Sequence, residues 1–270
     1  FCSCGRNPPP CKIALDSSTL TRVRSIKFLG VILDERLSWI HQTDSLICKL
    51  SKTSGVLRTL SYSLPKSLRA SVLSALVNSH ISYGITVWGG NPTNMEKVFT
   101  AQKKCVRALY KIKRRCKIKG QYVYGHTKHI FEENSFLTAH NLYNYSMILD
   151  AYKVISSQYP ISYYKACYNI SSLNSSRLLT TSCRLSSLAS NFSYMIPLLW
   201  NNFKNVNNIT NFSLTGFKSF KKSLKGFLLC MQSSFGSSVW HRFNNSLVDY
   251  CKYLSLQCLE LTTNRPRVNH

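Results

Sequence analysis

A chain of 270 residues with 44% hydrophobic and 12% aromatic content can bury a substantial core, which excludes a wholly disordered or fibrous protein. Its 35 Lys and Arg outnumber 10 Asp and Glu, giving +25, while charged residues total only 17%, so the imbalance is a deficit of acids. No acid lies between Lys97 and Phe131 or between Ala151 and Val248, a surface that repels itself unless a polyanion covers it.

Residues 1–11 form a Cys- and Pro-rich lead-in, and the opening FCSCGRNPPP reads as mid-protein sequence. Residues 12–38 carry a β element, RVRSIKFLGVILD, with Ile26, Phe28, Val31, Ile32 and Leu33 apolar. Gly30 interrupts it, as glycine does at a bulge or a close approach, and Asp34–Glu35 ends it. A first helix is predicted from Trp39 to Leu60, striped by Leu46, Leu50, Thr53, Leu57 and Leu60. A second opens at Pro65 and runs to Trp88, with Leu68, Val72, Leu76, Ser79 and Tyr83 as its stripe, widened by Leu73, Val77 and Ile81. GGNP stops it. A third opens on a capping box, Thr93 with Glu96, and continues to Arg115. Short connections make residues 39–116 an antiparallel helix trio.

Stepping the third helix at 100° per residue separates two faces. Met95, Val98, Phe99, Gln102, Cys105, Val106, Leu109 and Tyr110 fall on one side. Lys97, Lys103, Lys104, Arg107, Lys111, Arg114 and Arg115 fall on the other, and Lys117 and Lys119 continue the charge. A merely solvated face mixes signs to make i,i+4 pairs, whereas this one has no acid after Glu96. Polyanion contact is the expectation.

A basic linker, residues 117–134, leads to a helix over Ser135–Ser157, closed by Pro160. Residues 162–195, rich in Ser, Asn and Tyr, read as irregular. A last amphipathic helix, Thr215–Leu229, sets Phe217, Phe220, Leu224, Phe227 and Leu228 against Lys218, Lys221, Lys222 and Lys225, and the tail of residues 230–270 is uninformative. The fold class is therefore mainly α, a short N-terminal β element followed by a three-helix unit and a further helical, partly irregular basic region.

The possible chemistry is limited. The adjacent acid pairs are Asp34–Glu35 and Glu132–Glu133, and neither has the strand setting in which carboxylates converge on two metals about 3.5–4 Å apart. No P-loop, dinucleotide-binding glycine pattern, G-x-S-x-G or H-E-x-x-H occurs. Eleven cysteines is an odd number without metal spacing, and Cys48 and Cys105 fall at apolar helix positions, so reduced thiols and no metal site are expected. Read by its residues alone, the chain is a nucleic-acid-binding module with no catalytic residue. The alternative from another class is a basic secreted or membrane-surface protein without activity.

The succession IKFLGVILDERLSWIHQ, LPKSLRASVLSALVNSHISYGITVWGG and KVFTAQKKCVRALYKI resembles the region after the palm of non-LTR retrotransposon reverse transcriptases, of the jockey and related LINE-type elements. The F-L-G strand with D-x-x-L-x-W matches Phe28, Leu29, Gly30, Asp34, Leu37 and Trp39. The Y-G-x-x-x-W pattern matches Tyr83, Gly84 and Trp88. The L-Q-K-[RK]-x-[VI]-R pattern matches Gln102, Lys103, Lys104, Val106 and Arg107, with Ala101 where Leu is common. Further on, HTKHIFEENSFLTAHNLYNY is similar to another family stretch, and Ser176–Arg177 resembles its T-R motif. LWNNF at Leu199–Phe203 resembles W-N-x-[LF]-P without the Pro, and FKSFKKSLKGFLL resembles the closing helix. The order of the motifs, over residues 24–229, is what makes the likeness specific.

The resemblance implies a primer-grip-like element at Phe28, Leu29 and Gly30 and a thumb-like helix trio. It implies part of an RNA-directed DNA polymerase for target-primed reverse transcription, with this part holding RNA template and DNA primer or target. The catalytic Asp-Asp palm motif is absent from the chain, so no activity is expected of it alone. The missing palm and fingers would be partners, Mg²⁺ belongs to the intact polymerase and no cofactor to this portion. No membrane partner and an intracellular setting, cytoplasm and nucleus, complete the expectation. Nucleic-acid contact is assigned to Lys103, Lys104, Arg107, Lys111, Arg114, Arg115, Lys117 and Lys119.

Overall fold

The computed structural model describes residues 13–15, 18–20, 22–118, 121–156, 178–179, 192–207 and 216–235. These residues are mainly helical, with short antiparallel strands at the N-terminal end. The chain divides into two compact units, Phe1–Gly84 with Asn91–Tyr124, and Ile85–Gly90 with Gly125–His270.

The first unit begins with β1 (Ile13–Leu15) paired to β2 (Ser18–Leu20), then β3 (Ser25–Phe28) paired to β4 (Val31–Asp34) in the register Ser25↔Asp34 to Phe28↔Val31. Leu29 and Gly30 make the two-residue turn between β3 and β4, with φ of 45° and 81°. Two positive φ values are the I′ geometry whose twist matches the strands, which is what Gly30 supplies instead of a bulge.

Asp34 organises the passage from sheet to helix. Its carboxylate accepts the Ser38 N–H at 2.9 Å and the Trp39 N–H at 3.0 Å, and its carbonyl accepts the Leu37 N–H. These bonds hold Leu37 and Trp39 in the left-handed region, at φ of 49° and 62°. Asp34, Leu37 and Trp39 thus form one turn. Burial would raise the Asp34 pKa, but the N–H bonds from Ser38 and Trp39 outweigh it and hold the carboxyl below its ordinary value. Asp34→Ala should cost about 1–3 kcal/mol at neutral pH. Because the folded pKa is depressed, this stabilisation is complete above the unfolded value of about 3.9 and is lost as pH falls through the folded one. The melting temperatures of wild type and Asp34→Ala should therefore converge as pH falls below the ordinary carboxylate range, and a gap that does not shrink with falling pH would contradict the assignment.

α1 (Ile40–Ser63) buries Leu46, Leu50 and Leu57 against α5 (Pro92–Tyr110), which buries Val98, Cys105, Val106 and Leu109. Thr53 and Leu60 of the expected stripe are only half-buried. The Cys105 thiol donates to the Leu50 carbonyl at 3.3 Å, and burial pushes its pKa up to about 12, so it is an inert core group. Cys48, expected on the apolar face, is exposed. Asn91 rather than the Thr93 capping box starts α5: its side chain accepts the Asn94 N–H at 3.2 Å, and Pro92 occupies the first helical position.

The expected continuous helix from Pro65 to Trp88 is in pieces: α2 (Lys66–Leu73), a π-helical turn (Ser74–Asn78), α3 (Ser79–Ser82) and α4 (Ile85–Trp88). Two causes are visible. The wide turn rotates the helix so that the Asn78 side chain meets Gln102 of α5, whose amide donates to it at 3.2 Å. Gly84, at φ 60°, then breaks the chain direction after Tyr83. Of the expected stripe, the widening residues Leu73, Val77 and Ile81 are buried, while Leu68, Ser79 and Tyr83 are exposed and Val72 and Leu76 half-buried. α4 belongs to the second unit.

α5 stops at Tyr110, five residues short of the expectation, with Lys111 left-handed at φ 56° and the Ile112 N–H donating back to the Arg107 carbonyl. Cations at i,i+4, such as Arg107 with Lys111 and Lys111 with Arg115, oppose further helix, while CKIKGQYVY alternates about a glycine. The expected basic linker therefore contains a hairpin, β5 (Arg115–Ile118) with β6 (Gln121–Tyr124), followed by α6 (Lys128–Glu133).

In the second unit α7 (Ala139–Ile155) starts later than Ser135, which is left-handed at φ 52°, and the Thr138 hydroxyl accepts the Asn141 N–H at 3.3 Å. α8 (Phe192–Asn207) lies where irregular chain was expected from its first residues, and α9 (Phe217–Phe235) extends past Leu229. Tyr152 of α7 stacks on Phe220 of α9 at 4.2 Å, beside Trp200 and Phe203 of α8. Gln232 accepts the Thr138 N–H and the Asn141 side-chain amide at 3.0 Å, and donates to the Phe136 carbonyl. Most of residues 162–195, Arg177, Lys119 and nearly all of the tail lie outside the described residues.

Candidate nucleic-acid interface

Two helices that bury their apolar faces against each other leave a furrow along the seam, and here its walls are basic. A groove of about 660 Å³ runs between α1 and α5 within the first unit. Ser54, Arg58, Ser61 and Tyr62 line it from α1. Thr100, Lys103, Lys104, Arg107 and Ala108 line it from α5, and Lys111, Ile112, Lys113 and Arg114 from the segment that turns away after α5. Seven of these thirteen residues are cations and none is acidic.

Lys103, Lys104, Arg107, Lys111 and Arg114 of the expected set are thus brought together, although not by one helix. Arg114 reaches the groove because the chain bends after Tyr110. Arg115 and Lys117 lie on β5, their side chains outside the described set, as is Lys119 altogether. Arg58, Tyr62 and Lys113 were not expected. Lys113 was legible as part of the same basic run, but Arg58 and Tyr62 join only through the pairing of α1 with α5.

The cations are not equivalent. Lys103 is half-buried, lies 4.0 Å from the Phe99 ring centre and 3.8 Å from the Glu96 carboxylate. Desolvation lowers its pKa, which Glu96 partly offsets and Arg107 reinforces. Burial, and then the neighbouring Arg114, also lower that of Arg107. The Arg107 Nε is buried with no hydrogen-bond partner. Lys104, Lys113 and Arg114 are exposed. A groove of this kind favours an anion, which would relieve the mutual repulsion.

The primer-grip-like residues form the tip of the β3–β4 hairpin, with Phe28 60% and Leu29 76% exposed. The Tyr83 hydroxyl donates to the Leu29 carbonyl at 2.6 Å, and a Cβ on Gly30 would stand 3.3 Å from the Tyr83 ring. The F-L-G and Y-G residues, more than fifty positions apart, therefore meet in one place. Gln102 of the third motif meets Asn78, and in the second unit the Asn201 side chain both accepts from and donates to the Leu178 backbone, at 3.1 and 2.7 Å. That bond pair joins the W-N residues to the chain directly after Arg177.

The acid pairs do not fit a Mg²⁺ pair. The Asp34 carboxylate is occupied by two N–H donors, Glu35 pairs with Arg22 at 3.0 Å, and Glu132 lies 3.7 Å from Lys128. Among the described residues no group of three or more His, Cys, Asp or Glu could hold a metal ion, and no helix is long and apolar enough to cross a membrane. Compared with protein-family models, curated proteins and solved structures, the chain matches none.

Proposed function

We propose that this chain is the part of a non-LTR retrotransposon reverse transcriptase that follows the palm, and that its α1–α5 groove holds the RNA template and DNA primer or target. The observation that carries the reading is the groove: seven cations from two helices and the segment after them, with no acid among its lining residues. The hydrogen bonds Tyr83–Leu29, Gln102–Asn78 and Asn201–Leu178 add support, because they give structural work to the residues on which the resemblance rests. In this reading the chain binds and the missing palm catalyses, Mg²⁺ belongs to that palm, and the setting is intracellular, in cytoplasm and nucleus.

The test is the salt dependence of binding. The purified chain should bind an RNA–DNA template–primer with little sequence preference, because phosphate contacts position without reading bases. Log affinity should fall with log salt by about 0.9 for each phosphate neutralised, so four or more neutralised phosphates predict a slope of about four or steeper. Failure to bind, or preference for anionic lipid vesicles over nucleic acid, would overturn the reading.

A further inference from the structure

The groove carries one feature that a phosphate cradle does not need. Tyr62, in the last turn of α1, lines it and is 77% exposed. Lys111 places its Nζ 4.0 Å from the centre of that ring, so the ring stands next to the cations and is steadied by one of them. Resting on the proposal that this face holds a template–primer, we infer that the α1–α5 groove takes the unpaired strand of that substrate, with Tyr62 as a platform on which an unpaired base stacks.

The physical argument is one of access. A duplex offers a protein its phosphates, sugars and base edges, while the flat faces of its bases are stacked inside. An exposed ring beside a row of cations is useful only to a base whose face is free. Sequence-tolerant single-strand sites combine these two parts, a charged groove that follows the backbone and aromatic rings that receive the bases. The groove supplies both. Arg107 lines the same groove and offers its guanidinium to the phosphate that follows the stacked base. Tyr62 contributes little to the hydrophobic core, because most of its surface is in water.

The test compares wild type with Tyr62→Ala, Tyr62→Phe and Tyr62→Leu. Probes are oligo(rU) and oligo(dT) of about 12 nucleotides, a blunt duplex of the same length and inorganic polyphosphate. Tyr62→Ala should weaken both oligonucleotides about tenfold, the size of one base–aromatic stack, and leave duplex and polyphosphate within about twofold. Tyr62→Phe should retain the wild-type pattern, whereas Tyr62→Leu, apolar but without a π face, should behave as Ala does. Equal weakening on all four probes would mean that Tyr62 acts only by holding Lys111, and would overturn the inference. So would unchanged oligonucleotide affinity in Tyr62→Ala while wild type binds all probes, which leaves the proposed function standing. Wild type binding no nucleic acid at all would remove both.

Discussion

Changing Lys103, Lys104, Arg107 and Lys111 together to Gln is expected to weaken template–primer binding by at least about a hundredfold at 0.1 M salt, and to flatten the salt slope by about three to four. Each of the four lines the groove, and every phosphate left without its cation keeps the counterion that binding would otherwise release. The fold should survive. Gln keeps the helix propensity and most of the stem of the residues it replaces. Lys103 gives up an ion pair whose Glu96 side chain is 51% exposed, and Lys111 gives up the ring of an exposed tyrosine, interactions worth about 1 kcal/mol or less each. Circular dichroism would confirm the helices, and fluorescence anisotropy across a salt series would read the slope. If affinity and slope do not change, the groove is only a solvated furrow. The binding surface would then belong to the exposed row Lys218, Lys221, Lys222 and Lys225 on α9.

Val77→Asp is expected to abolish cooperative folding of the first unit, whereas Leu68→Asp, on the same helical stretch, should leave the melting temperature nearly unchanged. Val77 is fully buried at the π-helical turn, so its replacement places a carboxylate in an apolar seam without a partner. The penalty is about 4 kcal/mol or more, a large share of the roughly 5–15 kcal/mol by which domains are stable. Leu68 is 51% exposed, and a charge there remains in water at a cost within about 0.5 kcal/mol. The two variants separate the stripe Leu73–Val77–Ile81 from the stripe through Leu68, Val72 and Leu76. Equal melting curves would show that Leu73–Val77–Ile81 is not the buried stripe.

The wide turn in the second helical stretch lies beyond the reach of local pattern. A continuous 3.6-residue period over Pro65–Trp88 selects a broad face, Leu68, Val72 and Leu76 widened by Leu73, Val77 and Ile81, of which only the last three are buried. Within that turn the Asn78 side chain accepts the amide of Gln102, 24 positions away. No local periodicity contains that contact. Where one face of one helix is concerned, the period suffices: Leu46, Leu50 and Leu57 of α1 and Val98, Cys105, Val106 and Leu109 of α5 are buried as their spacing requires.

The candidate interface divides in the same way. The absence of acids from Lys97 to Phe131, and hence the uncompensated positive charge of that stretch, is a property of composition that folding cannot undo. The arc that was expected to carry Lys111 and Arg114 as continuing helix does not exist, because α5 ends at Tyr110. These cations reach the groove through a left-handed Lys111 and a bend, and Arg58 and Tyr62 reach it from the earlier helix α1. Mainly helical character, a β element ending at Asp34 and a strongly basic surface were determined by local pattern and charge, since both act over a few residues. Which cations share a groove, which tyrosine stands beside them and which carbonyl Tyr83 holds were decided only when distant segments packed, because hydrogen bonds and desolvation depend on neighbours in space rather than in sequence.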